Sequence, residues 1–200
     1  MLRAWDVLYS RVYHRLHVLN PCPLPRHGRA ILVSNHISGL DPVLIQSVCH
    51  RLVVWMMAKE YYEIPLLKWI FRQVEAIPIA RGKRDTAATR SAMRALQQHR
   101  VLGVFPEGRI EETGQVLDFQ TGAALMAIHN GAAIYPMAIV GTQEGKEMSQ
   151  CFMYPQEAMV NFGKPLQFAG VSTSKESLEE VTRQIREAVL SLRQDCLAVW

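Results

Sequence analysis

Short apolar runs alternate along the chain with longer stretches in which apolar residues recur every three or four positions. The short runs predict buried strands, at 29–34, 51–58, 75–81, 101–105, 133–140 and 159–163. The periodic stretches predict helices, at 2–19, 42–50, 61–73, 86–99, 120–130 and 174–197. Strands that alternate with helices indicate a single α/β layered domain with a mostly parallel sheet flanked by helices. Proline is expected to place 75–81 at a sheet edge and to interrupt 133–140.

Two apolar stretches allow more than one interpretation. The predicted helix 2–19 is amphipathic, with an apolar stripe and several basic residues: Trp5, Leu8, Val12, Leu16, Leu19, Arg3, Arg11 and Arg15. Such a helix either covers the core or lies in a membrane interface, and we prefer the core because globular helices carry such stripes routinely. Residues 61–73 carry more apolar side chains than one stripe needs, and here too we prefer burial to a lipid-facing patch.

Prolines at 21, 23 and 25 end the first helix and suggest how the chain is organised. We expect one domain over 1–200. Within it, 1–25 is the N-terminal amphipathic helix with a proline-rich connector, and 26–200 is the α/β core with a C-terminal helix.

Composition and charge narrow the classes of partner. The 200 residues are 49% hydrophobic and 20% charged, which is typical of a globular protein. A net charge of +4 and a pI near 9.0 fit anionic partners such as phosphorylated substrates or acidic lipid, but many ordinary proteins share them. The basic residues form no dense block interleaved with aromatics, so nucleic acid is not expected. The four cysteines show no C-x-x-C spacing, and neither a zinc motif nor a signal peptide is evident. No apolar run reaches the roughly 20 residues that span a bilayer.

The stretch from Ser34 to Pro42 follows an apolar run and precedes a predicted helix. Ligands of open α/β sheets bind at such strand-to-helix turns. His36 is therefore a candidate general base, with Asp41 as the group that orients it. Equally, Asp41 could be the N-cap of the helix, with Pro42 at its first position.

Two further polar clusters follow predicted strands. Arg81 opens a basic turn, and Glu107, Gly108 and Arg109 follow the strand 101–105. Each could be an ordinary turn, solvated in the first case and tight at Gly108 in the second. Because the carboxyl ends of parallel strands meet at one edge, we expect these clusters to converge with His36 and Asp41. An arginine there suits a phosphate, and Gly108 would let a substrate approach the backbone.

Four segments in order resemble the four motifs of the glycerolipid acyltransferase superfamily, which includes the 1-acylglycerol-3-phosphate acyltransferases. Asn35-His36 through Asp41-Pro42 is similar to the N-H-x-x-x-x-D block, and residues 105–109 match the F-P-E-G block. Residues 76–81 resemble the second block, whose arginine holds the acceptor's phosphate. Residues 133–138 resemble the fourth, a proline-containing strand near the acyl pocket.

The resemblance implies an enzyme, an acyltransferase that transfers groups other than amino-acyl groups, in phospholipid biosynthesis. His36 would take the proton of a lysophospholipid hydroxyl, Asp41 would hold the imidazole, and the hydroxyl would attack the thioester of acyl-CoA or acyl-carrier protein. Arg81 would clamp a phosphate, and Glu107, Gly108 and Arg109 would bind the acceptor. Backbone N–H groups near the turn are expected to stabilise the oxyanion. No metal or bound cofactor is needed, and the expected location is cytoplasmic, peripheral on the inner face of the cell membrane.

The chain departs from the family pattern at two places. Ile110-Glu111-Glu112 is acidic where relatives carry a basic setting, and Gln120 stands where a lysine is common. Both changes leave room for an acceptor with a larger or cationic head group. Two other functions remain as alternatives: a non-catalytic peripheral lipid-binding module, and a phosphohydrolase that uses His36 and Asp41.

Overall fold

The computed structural model describes residues 2–80, 85–112, 115–146 and 148–200. The strands are β1 (Leu16–Val18), β2 (Ala30–Val33), β3 (Val53–Ala58), β4 (Ile77–Ile79), β5 (Val101–Val104), β6 (Ala133–Val140) and β7 (Ala158–Phe162). The helices are α1 (Leu2–Leu8), α2 (Asp41–Val48), α3 (Lys59–Tyr62), α4 (Pro65–Gln73), α5 (Thr86–Gln97), α6 (Gly122–Asn130), α7 (Met148–Cys151) and α8 (Lys175–Val199). A π-helical segment, Tyr9–Tyr13, follows α1.

The strands form one seven-stranded sheet in the order β1-β7-β6-β2-β5-β3-β4. The five strands from β6 to β4 are mutually parallel, and β7 is antiparallel to β6 and carries β1 alongside it in parallel. The predicted α/β fold with a mostly parallel sheet flanked by helices is therefore confirmed. The proline-containing β4 is an edge strand, also as predicted.

Side chains of the central strands alternate between two hydrophobic clusters, one on each face of the sheet. Leu32 packs with α2 on one face, whereas Ile31 and Val33 pack with α5, α6 and α8 on the other. All four residues of β2 are buried, as expected for a parallel strand covered on both faces. Because both faces of the sheet are covered, polar side chains can reach solvent at the ends of the strands.

Two helices begin with a side-chain N-cap. Asp85 accepts hydrogen bonds from the N–H groups of Ala87 and Ala88 at the start of α5. Ser174 accepts one from the N–H of Ser177 at the start of α8. These N-caps bind N–H groups that have no partner within the helix itself.

The prediction of a helix over 2–19 is wrong beyond residue 13. Arg15 has a φ of +41°, which ends the helical path, and Leu16–Val18 pairs in parallel with Ala158–Val160. Leu16 is 3% exposed. The spacing of Leu16 and Leu19 fits a helix, but hydrogen bonds to β7 and burial of Leu16 outweigh that local preference.

The prediction of burial is wrong for most of the apolar stripe of 2–19 and for 61–73. Trp5, Leu8 and Val12 are 72%, 53% and 67% exposed. In 61–73, none of the side chains that the structure describes is buried, and Trp69 is 60% exposed. Leu16 belongs to one of the sheet's two clusters and Tyr9 packs against it, whereas no described residue of 61–73 belongs to either cluster.

Pro136 does not interrupt β6. Its carbonyl accepts a hydrogen bond from the N–H of Gly163, so its side of the backbone faces β7. The ladder with β7 begins only at Met137. The N–H that proline lacks would face β7 just beyond the last residue paired with that strand, while Pro136 stays paired with Val33 of β2.

Candidate active site

The turn after β2 brings His36 against Asp41. The Nδ1 atom of His36 lies 3.0 Å from Oδ2 of Asp41, whose side chain is fully buried, while the imidazole side chain is 15% exposed. An ionised carboxylate only accepts, so Nδ1 carries the proton and Nε2 holds a lone pair. A neutral imidazole in this tautomer can accept the proton of a hydroxyl group at its Nε2 atom.

The Asp41 carboxylate faces back onto the turn. Oδ2 also accepts hydrogen bonds from the N–H groups of Ile37 and Ser38, at 2.8 and 2.9 Å. Asp41 is the first residue of α2 with Pro42 beside it, but its side chain does not cap that helix. The structure thus shows the contact with His36 and no capping bond, and the role of Asp41 in orienting a general base stays a prediction.

Backbone and amide hydrogen bonds tie the turn to its surroundings. The side chain of Asn35 exchanges two hydrogen bonds with the backbone of Ile139 in β6, at 2.9 and 3.0 Å. The His36 carbonyl accepts from the N–H of Glu111, and the Gly39 N–H donates to the Lys146 carbonyl. The turn is thus held from β6 and from the loops that follow β5 and β6.

Glu107 is turned towards backbone. Its Oε1 accepts from the N–H of His36 at 2.8 Å, and its Oε2 accepts from the N–H of Leu117 at 3.0 Å. Its side chain is buried. Burial raises the pKa of Glu107 above its ordinary value, although the two backbone hydrogen bonds oppose that rise. The carboxylate joins the His36 turn to the loop before α6, and its predicted contact with an acceptor remains a prediction.

The neighbours of Glu107 are more open. Gly108 and Arg109 are both exposed. Gly108 has a φ of +73°, and a Cβ there would lie 2.5 Å from the side-chain nitrogen of Gln120. Glycine therefore permits both the turn and the position of Gln120, which lies directly over this backbone.

The backbone N–H groups of the turn are engaged. Those of His36, Ile37, Ser38 and Gly39 donate to Glu107, Asp41, Asp41 and Lys146 respectively. The expectation that N–H groups near this turn stabilise an oxyanion therefore does not hold for these four. They fix the turn instead.

The two acidic residues that follow Ile110 differ in exposure. Glu111 is 3% exposed, and its Oε2 accepts from the N–H of Gln115 at 2.9 Å. Its neighbour Glu112 is exposed. Only one of the two carboxylates thus reaches solvent beside the site.

Arg81 lies outside the described residues. Strand β4, which precedes it, is parallel to β3, so the chain reaches residue 80 at the same sheet edge as the His36 turn. The structure thus brings together His36, Asp41 and Glu107, and leaves Gly108 and Arg109 exposed nearby.

Sequence reasoning missed contacts that depend on distant segments. Cys151 in α7 lies 3.0 Å from the Ser38 hydroxyl, across 113 positions, and α7 itself was not predicted. Phe105 stacks on the His36 ring, with centroids 4.0 Å apart. The apolar run 101–105 signals a strand but says nothing of which ring its last residue meets.

Fold and site together define a class: α/β proteins that hold a His–Asp pair at the carboxyl edge of a parallel sheet. The family model described as Acyltransferase matches residues 15–140, well over half of the chain. The chain therefore belongs to the acyltransferase family.

Several curated relatives are similar to this chain in sequence. The 1-acyl-sn-glycerol-3-phosphate acyltransferase of Borreliella burgdorferi is 25% identical over 60% of this chain and 48% of that protein. The protein of that name from Limnanthes douglasii is 30% identical over 57% of this chain and 42% of that protein. The chain thus spans less than half of these two relatives. The namesake from Bacillus subtilis is 22% identical over 88% of this chain and 86% of that protein.

A solved structure shares the fold. The 1-acyl-sn-glycerophosphate (LPA) acyltransferase of Thermotoga maritima superposes with a TM-score of 0.72 at 21% identity, covering 96% of this chain and 80% of that one.

In the part of the chain that the structure describes, no helix is long and apolar enough to cross a bilayer.

Proposed function

We propose that the protein transfers a fatty acyl group from an acyl thioester to a hydroxyl of a lysophospholipid such as 1-acylglycerol-3-phosphate. The observation that carries the proposal is the His36–Asp41 pair, 3.0 Å apart at the carboxyl edge of the sheet. Family membership supports the reaction class, and the names of the curated relatives support the acceptor.

The proposed reaction needs one proton carrier. Nε2 of His36 removes the proton of the acceptor hydroxyl as its oxygen attacks the thioester carbonyl carbon. The tetrahedral intermediate collapses, the C–S bond breaks, and the imidazolium returns the proton to the departing thiolate. Asp41 keeps the imidazole in the required tautomer and stabilises the transient imidazolium. General-base help of this kind is worth roughly 10² to 10⁴ in rate.

The donor and the acceptor are assigned by chemistry. Acyl-CoA and acyl-carrier protein both offer the thioester, and neither requires a metal or a resident cofactor. Arg81 is proposed to bind the acceptor's phosphate, because a guanidinium binds phosphate oxygens in pairs. Arg109, exposed on the loop after β5, is a second cation for the same head group.

The protein is also proposed to work at a lipid surface, on the cytoplasmic side of the cell membrane. An aromatic patch is exposed around the π-helical segment, formed by Trp5, Leu8, Val12, Tyr13, Phe152, Met153 and Tyr154. The hydroxyls of Tyr9 and Tyr13 bind the carbonyls of Phe152 and Met153, so the two parts of the patch are joined. Aromatic and aliphatic side chains beside the exposed Arg11 and Arg15 suit an anionic bilayer surface.

A transfer assay tests the reaction. The protein is incubated with a labelled acyl-CoA and with vesicles that carry one of several lysolipids, and products are identified by mass spectrometry. We expect a diacyl product from lysophosphatidic acid or from a lysophospholipid with a larger head group. If none of the lysolipids is acylated with either acyl-CoA or acyl-carrier protein as donor, the proposed function is wrong.

A vesicle assay tests the surface. The double variant Trp5→Ser, Met153→Ser is expected to lose most of its co-sedimentation with anionic vesicles. Leu52→Ser is the matched control, since Leu52 is exposed but precedes β3 at the opposite sheet edge. Equal sedimentation of the double variant and the control would remove the aromatic patch from the proposal.

A further inference from the structure

Three rings are stacked in a column that ends at His36. The imidazole of His36 and the ring of Phe105 have centroids 4.0 Å apart and planes within 13° of each other. The rings of Phe105 and Trp55 have centroids 4.8 Å apart and planes within 11°. The column leads from the partly exposed imidazole to the indole, which is 7% exposed.

The three rings come from three adjacent strands. His36 follows β2, Phe105 follows β5, and Trp55 lies in β3, and these strands are neighbours in the order β2-β5-β3. Trp55 is paired with Gly103 in the ladder. A Cβ at Gly103 would lie 2.4 Å from the indole, so only glycine lets the indole lie flat over β5. The column therefore depends on a glycine that no catalytic motif of the chain contains.

Hydrogen bonding does not explain the position of the indole. Within the described part of the chain, the buried Nε1 of Trp55 has no hydrogen-bond partner. A buried N–H without an acceptor is unfavourable, and a phenyl ring in its place would carry no such N–H. What holds the indole is contact through its ring faces, above all with Phe105.

The hydrogen bond to Asp41 restrains the imidazole at one atom only. A ring bonded through Nδ1 can still tilt about that bond, and tilting moves Nε2 away from a bound hydroxyl. A flat ring packed against the imidazole face opposes this tilt. Phe105 is that ring, and Trp55 supports its far face.

We propose that Trp55 is a positioning residue that acts through Phe105 to fix the plane of the His36 imidazole. The inference rests on the proposed function, in which His36 is the general base. A stacked aromatic pair corresponds to a factor of roughly 2 to 13 in an equilibrium. Loss of the indole should therefore lower kcat about tenfold and leave the KM of both substrates within about twofold.

The kinetic test compares Trp55→Leu with Trp55→Phe and with Val53→Ala. Phenylalanine keeps a ring against Phe105, so kcat is expected to stay within about threefold of the wild type. Val53 is a buried residue of the same strand and the same cluster, and its truncation removes core volume while leaving all three rings of the column in place. If kcat of Trp55→Leu falls no further than that of Val53→Ala, the inference is overturned.

A spectroscopic test works without turnover. Protons of the His36 ring lie over the face of Phe105, so ring currents displace their NMR resonances, and Phe105→Leu defines the position without that effect. Trp55→Leu should move these resonances towards the Phe105→Leu position, whereas Val53→Ala should leave them unmoved. Unchanged resonances in Trp55→Leu would overturn the inference. Absence of transfer in the wild type would instead contradict the proposed function, and the resonances would still judge the column.

Discussion

Replacement of Glu107 by glutamine separates two roles for this residue. Its two carboxylate oxygens accept backbone N–H groups from His36 and Leu117, at 2.8 and 3.0 Å. Glutamine keeps one oxygen and places an NH₂ group where the other stood. One of the two backbone N–H groups then faces a donor instead of an acceptor.

The expected cost follows from the lost bond. A hydrogen bond to a charged acceptor contributes about 1.5–3 kcal/mol, and loss of the buried charge offsets part of this. A net destabilisation of about 1–3 kcal/mol lowers Tm by about 2–12 °C in a protein of this size. Because one of the two donors is the N–H of His36, we also expect kcat to fall by about tenfold, with little change in the KM of the acceptor.

The pH dependence of stability provides a second signature. Burial raises the pKa of Glu107 in the folded protein, whereas the unfolded chain keeps the ordinary value. Between these two values the native state binds more protons than the unfolded state. The contribution of Glu107 to the free energy of unfolding is therefore full below the ordinary pKa and declines as pH rises through the raised one. Glu107→Gln removes this decline.

Urea denaturation across pH 4–8 measures both effects, with Glu112→Gln as an exposed control that should change stability by less than about 0.5 kcal/mol. A different outcome would refute the reasoning. If Glu107→Gln leaves Tm, kcat and the pH slope unchanged but raises the KM of the acceptor, Glu107 binds substrate, as the sequence motif suggests.

Two variants test further parts of the site, and one oxidation tests a cysteine pair outside it. Asp41→Asn should lower kcat by about 10³. The reason is the loss of the transient pair of imidazolium and carboxylate, since two charges about 4 Å apart attract by about 4 kcal/mol at an effective dielectric of about 20. Retention of a tenth of the activity would contradict the pairing with His36. Arg81→Ala should raise the KM of a phosphate-bearing acceptor about tenfold or more and leave that of the acyl donor unchanged in steady-state assays. The Sγ atoms of Cys22 and Cys49 lie 3.7 Å apart, and their hydrogen bond lowers the pKa of the Cys22 thiol. Diamide should therefore oxidise the two thiols to a disulfide, which a titration of free thiols would detect. Four free thiols after treatment would contradict this prediction.

Most of the sheet could be predicted because each of its buried strands has a recognisable local sequence pattern. Buried parallel strands read as short apolar runs, and β2, β5 and β6 fall within one or two residues of their predicted bounds. Strand β1 could not be predicted in this way. Its hydrogen-bond partner, β7, lies about 140 residues away, and Leu16 and Leu19 fit the helical period of the segment before it.

In the candidate site, too, contacts between residues close in sequence could be predicted, and contacts between distant residues could not. His36 and Asp41 are five residues apart, so a motif can show them together, and their contact is local. The bond from His36 to Glu107 spans 71 positions, and a motif that contains Glu107 does not say which way its carboxylate points. Trp55 lies in an apolar run with no chemical signature, because its relation to the imidazole exists only once β5 lies between β2 and β3.

The role of His36 as general base is the central claim, and the rate of acyl transfer by His36→Gln tests it most directly. Glutamine keeps the backbone N–H that Glu107 accepts and removes the titratable nitrogen. With labelled acyl-CoA and lysophosphatidic acid in vesicles, we expect the wild type to form diacyl product and the variant to form it about 10² to 10⁴ times more slowly, with acyl-CoA binding unchanged. A folded His36→Gln protein that transfers acyl groups at the wild-type rate would contradict the account.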